Sequence, residues 1–139
     1  MNESGKRYVK LITALALALG MILAGGVASA RNSGTQNLTV SCDGTTVKSG
    51  YVITQSTTGG FSIKQISTNP TSPSATWARS SQGNNLPVKY VTNGATASWS
   101  SVLPSNYTTR VRRDGSYNCN GIGFGYGNYN WTYIVTATG

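Results

Sequence analysis

The sequence contains no histidine and only three acidic residues among its 139 residues. The two acids beyond residue 30 are Asp43 and Asp114, and each precedes a glycine in a pattern typical of a turn. General acid–base catalysis usually requires histidine, glutamate or a pair of carboxylates. We therefore predict a non-enzymatic protein without catalytic residues. The composition still permits a Ser–Lys dyad, but no motif singles out Lys48, Lys64 or Lys89.

Cysteine occurs only twice, as Cys42 and Cys119. A structural metal site needs more ligands than this chain supplies, so we predict neither a metal nor another cofactor. An even number of cysteines in an exported chain is typical of an intramolecular disulfide. A disulfide between Cys42 and Cys119 would close the loop between them and would stabilise the fold by roughly 4 kcal/mol in the chain-entropy model.

A long apolar run occurs only near the N terminus. Basic residues Lys6, Arg7 and Lys10 precede the apolar stretch 11–27, and the small residues Ala28–Ala30 follow it. This pattern predicts a secretory signal peptide over residues 1–30, cleaved after Ala30, and its form is typical of bacteria. The strongly apolar part is shorter than the roughly 18 to 20 residues of a membrane span. We therefore expect residues 31–139 to be secreted without a transmembrane segment.

Residues 31–139 hold eight of the eleven basic residues and two of the three acids, a net charge of +6. Such a surface attracts polyanions or anionic cell envelopes, although charge can also serve solubility alone. Their apolar residues alternate with polar ones, which is typical of strands. Sets that share one strand face are Leu38, Val40 and Cys42; Phe61 and Ile63; Ala95, Ala97 and Trp99; and Trp131, Tyr133, Val135 and Ala137. The pattern predicts one all-β domain, a sandwich or barrel of six to eight strands without a helix.

The segment 67–85 interrupts this alternation. It contains two prolines, many serines and threonines, and little apolar content except Trp77. We expect a long surface loop. Trp77, two residues before Arg79, is either a binding contact or an anchor that pins the loop to the core.

The sequence around Asp114-Gly115 predicts a hairpin. A three-residue loop over 113–115 would pair Val111 with Tyr117 and Thr109 with Cys119. In this register the inward residues of the hairpin are Tyr107, Thr109, Val111, Tyr117 and Cys119.

The same register turns Arg110 and Arg112 outward. Arginine binds phosphate, carboxylate or sulfate groups through two parallel hydrogen bonds, so these residues could form a docking surface. An ordinary solvated face is the alternative. Nucleic acid is not the expected partner, because the aromatic residues of this hairpin point inward in the same register.

The stretch GIGFGYGNYNW, residues 121–131, alternates glycine with bulky residues. It lacks the glycine spacing and the following lysine of phosphate-binding loops. We predict an end loop that displays Phe124, Tyr126 and Tyr129 to a partner. Folding of these rings onto the core is the alternative.

Two short motifs resemble known domains. The segment 114–119 resembles the Tyr-x-Cys signature of immunoglobulin domains, and Leu103-Pro-Ser-Asn-Tyr107 resembles the tyrosine corner of fibronectin type III domains. The resemblance implies a small immunoglobulin-like β-sandwich in which Cys119 bridges the sheets. It implies no function, because such sandwiches carry many activities.

Two functions fit these features. The first is a secreted recognition module that binds an anionic envelope polymer, a glycan or a protein through a basic and aromatic surface. Its candidate binding residues are Trp77, Arg110, Arg112, Phe124, Tyr126 and Tyr129. The alternative is a secreted antagonist, either a small antimicrobial protein or an inhibitor of an extracellular enzyme.

Overall fold

The computed structural model describes residues 30–41, 47–69, 71–113 and 128–139. Within these ranges the chain contains strands and no helix, as the alternation of apolar residues predicts. The strands are β1 (Ala30–Ser41), β2 (Lys48–Gln55), β3 (Gly59–Asn69), β4 (Ser74–Ser80), β5 (Lys89–Val91), β6 (Thr96–Val102), β7 (Ser105–Arg113) and β8 (Asn128–Thr138).

The strands form two antiparallel sheets of four, in the orders β1-β8-β3-β6 and β2-β7-β4-β5. Side chains that alternate along the strands bury one face of each sheet in a single hydrophobic cluster. The first sheet contributes Val40, Phe61, Ile63, Trp99, Trp131 and Val135, and the second contributes Ile53, Ala78, Tyr107 and Val111. The core therefore involves both sheets, an arrangement compatible with a β-sandwich.

The strand order differs from that of an immunoglobulin domain. Immunoglobulin sheets place several consecutive strands side by side, in the orders ABED and CFG. Here β4 and β5 are the only consecutive neighbours among the described strands, whereas β1 pairs with β8, β2 with β7 and β3 with β6. This order is that of an eight-stranded jelly roll, which contains two Greek keys. The expected two-sheet all-β architecture is present, but the described strands do not have the immunoglobulin-like order.

The tyrosine corner is nevertheless present as a local feature. The Tyr107 hydroxyl donates a hydrogen bond of 2.6 Å to the Leu103 carbonyl oxygen. A tyrosine corner makes this kind of bond to the backbone a few residues upstream. The resemblance of residues 103–107 to a tyrosine corner therefore extends to this hydrogen bond but not to the strand order around it.

The pairing predicted for Val111 in a hairpin after β7 is wrong. Val111 pairs with Lys48 on one side and with Thr76 on the other. Because a strand has only two hydrogen-bonding edges, these two pairs occupy both edges of β7 at Val111. Residues 114–120 of the predicted hairpin lie outside the described residues. Arg113, expected in the turn, is instead the buried last residue of β7.

The expected surface loop over 67–85 is also wrong. β3 continues to Asn69, and β4 lies between β7 and β5 inside its sheet. The sequence pattern does not predict β4, because Ala75 and Ala78 are its only buried apolar side chains and both are small. Pro73 directly precedes the strand, a position at which proline removes no ladder hydrogen bond.

Several predictions fall outside the described residues. These are residues 1–29 of the signal peptide predicted over 1–30, both cysteines of the expected disulfide, and the two loop aromatics Phe124 and Tyr126. Within the described ranges, no helix is long and apolar enough to cross a membrane.

Candidate functional site

The outward surface of the β2-β7-β4-β5 sheet combines basic and aromatic side chains. We call it the basic face and define it by Trp77, Arg79, Tyr90, Arg110 and Arg112. Along β7, the two arginines alternate with buried residues and are half-buried themselves, so the predicted outward direction of both is confirmed. Tyr90 is 63% exposed, the largest exposed fraction among the described large apolar side chains.

The strand register places these side chains in rows across the sheet. Trp77 lies directly opposite Arg110, and Ala75 lies between Arg112 and Tyr90. Directly opposed Cβ atoms in antiparallel strands are about 4.5–5.5 Å apart, and side chains two residues apart on one strand are roughly 7 Å apart. Ala75 itself is fully buried in this row, so Tyr90 and Arg112 are its accessible members.

No described residue supplies a side-chain carboxylate to this face. The chain's three acids, Glu3, Asp43 and Asp114, all lie outside the described ranges. The Arg110 Nε atom is buried and has no hydrogen-bond partner among the described residues. A buried guanidinium nitrogen without a partner is energetically unfavourable. An external anion bound at Arg110 would not have to displace an ion pair formed by the described residues, because none of them has a carboxylate side chain.

Trp77 was expected either to bind or to anchor. It lies in β4, half-buried, and packs against the hydrophobic cluster. Part of its surface stays accessible beside Arg110, with which it is paired across the strands. The structure thus gives Trp77 an anchoring role and leaves part of it on the basic face.

Tyr129 was expected on a binding loop, and this prediction is wrong. Its side chain is fully buried, and its hydroxyl contacts Ser74 Oγ at 2.5 Å and donates to the Ser72 carbonyl oxygen at 3.1 Å. Burial raises the pKa of Tyr129, against smaller opposing effects of Ser74, Thr68 and the Arg113 charge. β8 begins before Trp131, so Tyr129 shares the inward face of that strand.

A concave site that the sequence did not indicate lies where β5 and β6 approach each other. This groove has a volume of about 520 Å³ and is lined by residues from 80–89, 98–103 and Tyr107. The sequence patterns had named Lys89, Trp99 and the Leu103–Tyr107 motif, but in separate contexts that did not place them together. Three separate segments form the groove, so no local motif could reveal it.

The described residues contain no cluster of three or more His, Cys, Asp or Glu side chains that could hold a metal ion. The chain matches no protein-family model and no curated protein. Its function is therefore inferred from the chemistry of its surfaces.

Proposed function

We propose that residues 31–139 are a secreted, non-enzymatic recognition module that binds an acidic glycan or a similar anionic polymer of a cell envelope. The observation that carries this proposal is the basic face, where three arginines and two aromatic rings share one sheet surface without a described carboxylate. Secretion is supported by the N-terminal sequence pattern, and a disulfide between Cys42 and Cys119 would suit that environment.

Arginine suits the anionic groups of such a polymer. Its planar guanidinium donates two parallel hydrogen bonds to a carboxylate, sulfate or phosphate. Arg110 and Arg112 lie two residues apart on β7, so their side chains lie roughly 7 Å apart along the strand. Neighbouring anionic groups of one extended chain can therefore contact both arginines.

The aromatic residues add contacts that charge alone cannot supply. A sugar ring has an apolar C–H surface that packs against an aromatic face, and aromatic rings bury large areas on contact. Tyr90 and the accessible part of Trp77 flank the arginines on β5 and β4. A glycan that carries acidic groups matches both kinds of side chain better than a neutral glycan or a simple anion does.

A polymer fits this face better than a single small anion. The arginines and aromatic residues of the basic face are all at least partly exposed. One such charge pair contributes only about 0–1 kcal/mol. Repeated groups on one chain convert later contacts into intramolecular ones and multiply such small contributions. We therefore expect weak binding of monomers and much tighter binding of chains.

The proposal is tested by titrating purified residues 31–139 with polygalacturonate, with neutral dextran and with a single-stranded oligonucleotide of matched charge. We expect saturable binding of polygalacturonate that weakens as salt rises, because salt screens exposed charges. Dextran should not bind. Equal binding of dextran would contradict the role of charge, and clearly tighter binding of the oligonucleotide would contradict the assignment to a glycan.

A further inference from the structure

The groove between β5 and β6 has the size of a small-molecule site. Its volume of about 520 Å³ lies within the roughly 300–1,000 Å³ typical of ligand pockets. β5 and β6 are the edge strands of the two sheets, so the groove lies at one open side of the pair of sheets. It lies apart from the rows of Arg110 and Arg112, neither of which lines it.

Hydrogen bonds hold the walls of this groove in place. The Trp99 indole donates to the Pro87 carbonyl oxygen at 2.9 Å, and the Lys89 ammonium donates to the Ser98 carbonyl oxygen at 2.5 Å. Both bonds join β6 to the segment at the start of β5. On the other side, Tyr107 binds the Leu103 carbonyl oxygen. A groove fixed in this way loses little conformational entropy when a ligand binds.

The backbone of the groove is strained at Ser101. Its φ of 54° is the only positive φ of a non-glycine residue among those described. The strand register shifts at this point, since Gly59 pairs with Val102 and Phe61 with Trp99, which gives β6 an extra residue. Such strain costs about 1–3 kcal/mol and concentrates at functional sites, as do β-bulges.

The lining combines apolar walls with a few polar groups. Leu86, Pro87 and Leu103 are apolar, whereas Gln82, Asn84 and several serines supply amide and hydroxyl groups. This mixture suits a ring that has C–H surfaces and hydroxyl groups.

Lys89 adds a positive charge at a defined place. Its Nζ atom lies 5.5 Å from the centre of the Trp99 ring, which also favours a cation there. One ammonium hydrogen is donated to the Ser98 carbonyl oxygen, so two donors remain. No described residue offers a carboxylate side chain to these donors.

We propose that the groove binds one carboxylated sugar unit, of the uronic acid type, with its carboxylate at the Lys89 ammonium and its ring between the apolar walls. The chain end of an acidic glycan and a free sugar acid share this chemistry. The site is separate from the basic face, so either one can fail without the other.

The test uses residues 31–139 labelled for NMR and titrated with galacturonic acid and, separately, with galactose. We expect galacturonic acid to shift the amide signals of residues 98–103 and to bind at least about tenfold more tightly than galactose, the effect of one charge-assisted hydrogen bond. Lys89→Met should remove this preference and Lys89→Arg should keep it. Lys64→Met, on the other sheet, is the matched control and should change nothing.

Polygalacturonate distinguishes a chain end from a free sugar acid. Shifts at residues 98–103 that scale with the number of chain ends indicate chain-end recognition, and shifts with the monomer alone indicate a free sugar acid. The proposal is overturned if galactose binds as tightly as galacturonic acid, if Lys89→Met keeps the preference, or if residues 98–103 do not shift. Shifts confined to residues 75–79 and 108–112 would also overturn it, while leaving the proposed function of the basic face intact.

Discussion

Replacement of Tyr107 by phenylalanine tests the hydrogen bond that closes the tyrosine corner. Tyr107 is 3% exposed, and the centre of its ring lies 5.5 Å from the centre of the Phe61 ring. A phenylalanine ring keeps these contacts in the variant. The variant loses the 2.6 Å hydrogen bond to the Leu103 carbonyl oxygen. Its effect on the free energy of unfolding therefore measures this one bond.

The expected loss is about 1 kcal/mol. A typical intramolecular hydrogen bond contributes about 0.5–1.5 kcal/mol, and an acceptor left buried without a partner costs more. Leu103 is 61% exposed, so water can reach its backbone and limit that extra cost. For a domain of this size, 1 kcal/mol lowers the Tm by about 4–8 °C.

Urea and thermal unfolding of residues 31–139 measure the loss. Tyr90→Phe is the matched control, because the Tyr90 hydroxyl makes no hydrogen bond with a described residue and the ring is exposed. The control should change the free energy of unfolding by less than about 0.5 kcal/mol. Equal stability of the two variants would refute the assignment of this hydrogen bond as a stabilising contact.

Three further predictions concern the packing, the backbone and the pH dependence of the fold. Gly50→Ala should destabilise the protein by about 1–3 kcal/mol in urea unfolding, because the added Cβ would collide with Tyr133 Oη. This oxygen accepts a hydrogen bond from the Tyr51 backbone amide. An unchanged unfolding midpoint would contradict this packing. Ser101→Gly should stabilise it by roughly 0.5 kcal/mol and Ser101→Val should destabilise it, because a β-branched residue rarely adopts a positive φ; the opposite order of melting temperatures would exclude the strained backbone. Burial raises the pKa of Tyr129, so its contribution is fully present below the pKa of about 10 of an unfolded tyrosine and falls as the pH rises through the higher folded value. Unfolding experiments at alkaline pH should show that decline, and Tyr129→Phe should make it shallower; an equally steep decline in the variant would assign it to other groups.

The all-β class and much of the core were predictable from alternation alone. Trp131, Tyr133, Val135 and Ala137 share one strand face in the sequence, and all four are buried. Arg110 and Arg112 were expected outward, and they are, although Val111 between them pairs with β2 and β4 rather than in the register used to orient them. The orientation depended on the period of two within β7, which is local and independent of the strand that pairs with it.

The errors arose where structure depends on distant residues. β4 is buried through Ala75, Thr76 and Ala78, whose small or polar side chains resemble those of a loop. Its burial comes from its position between β7 and β5, and the alternation within a single strand does not contain that information. The strand order also depends on residues far apart in the chain, because neighbours such as β1 and β8 come from its two ends. The groove between β5 and β6 is formed by separate segments that the strand order brings together, so no local sequence motif predicts it.

The most direct test of the basic face is the affinity of Arg110→Gln/Arg112→Gln for polygalacturonate at low salt. The matched control is Arg31→Gln/Lys64→Gln, which removes the same two charges from β1 and β3 of the other sheet. We predict that the first variant binds at least about tenfold more weakly than the unaltered protein, from about 0.7 kcal/mol per arginine, while the control loses much less. Equal losses would show that net charge alone drives binding, and unchanged binding by the first variant would contradict a role for the basic face.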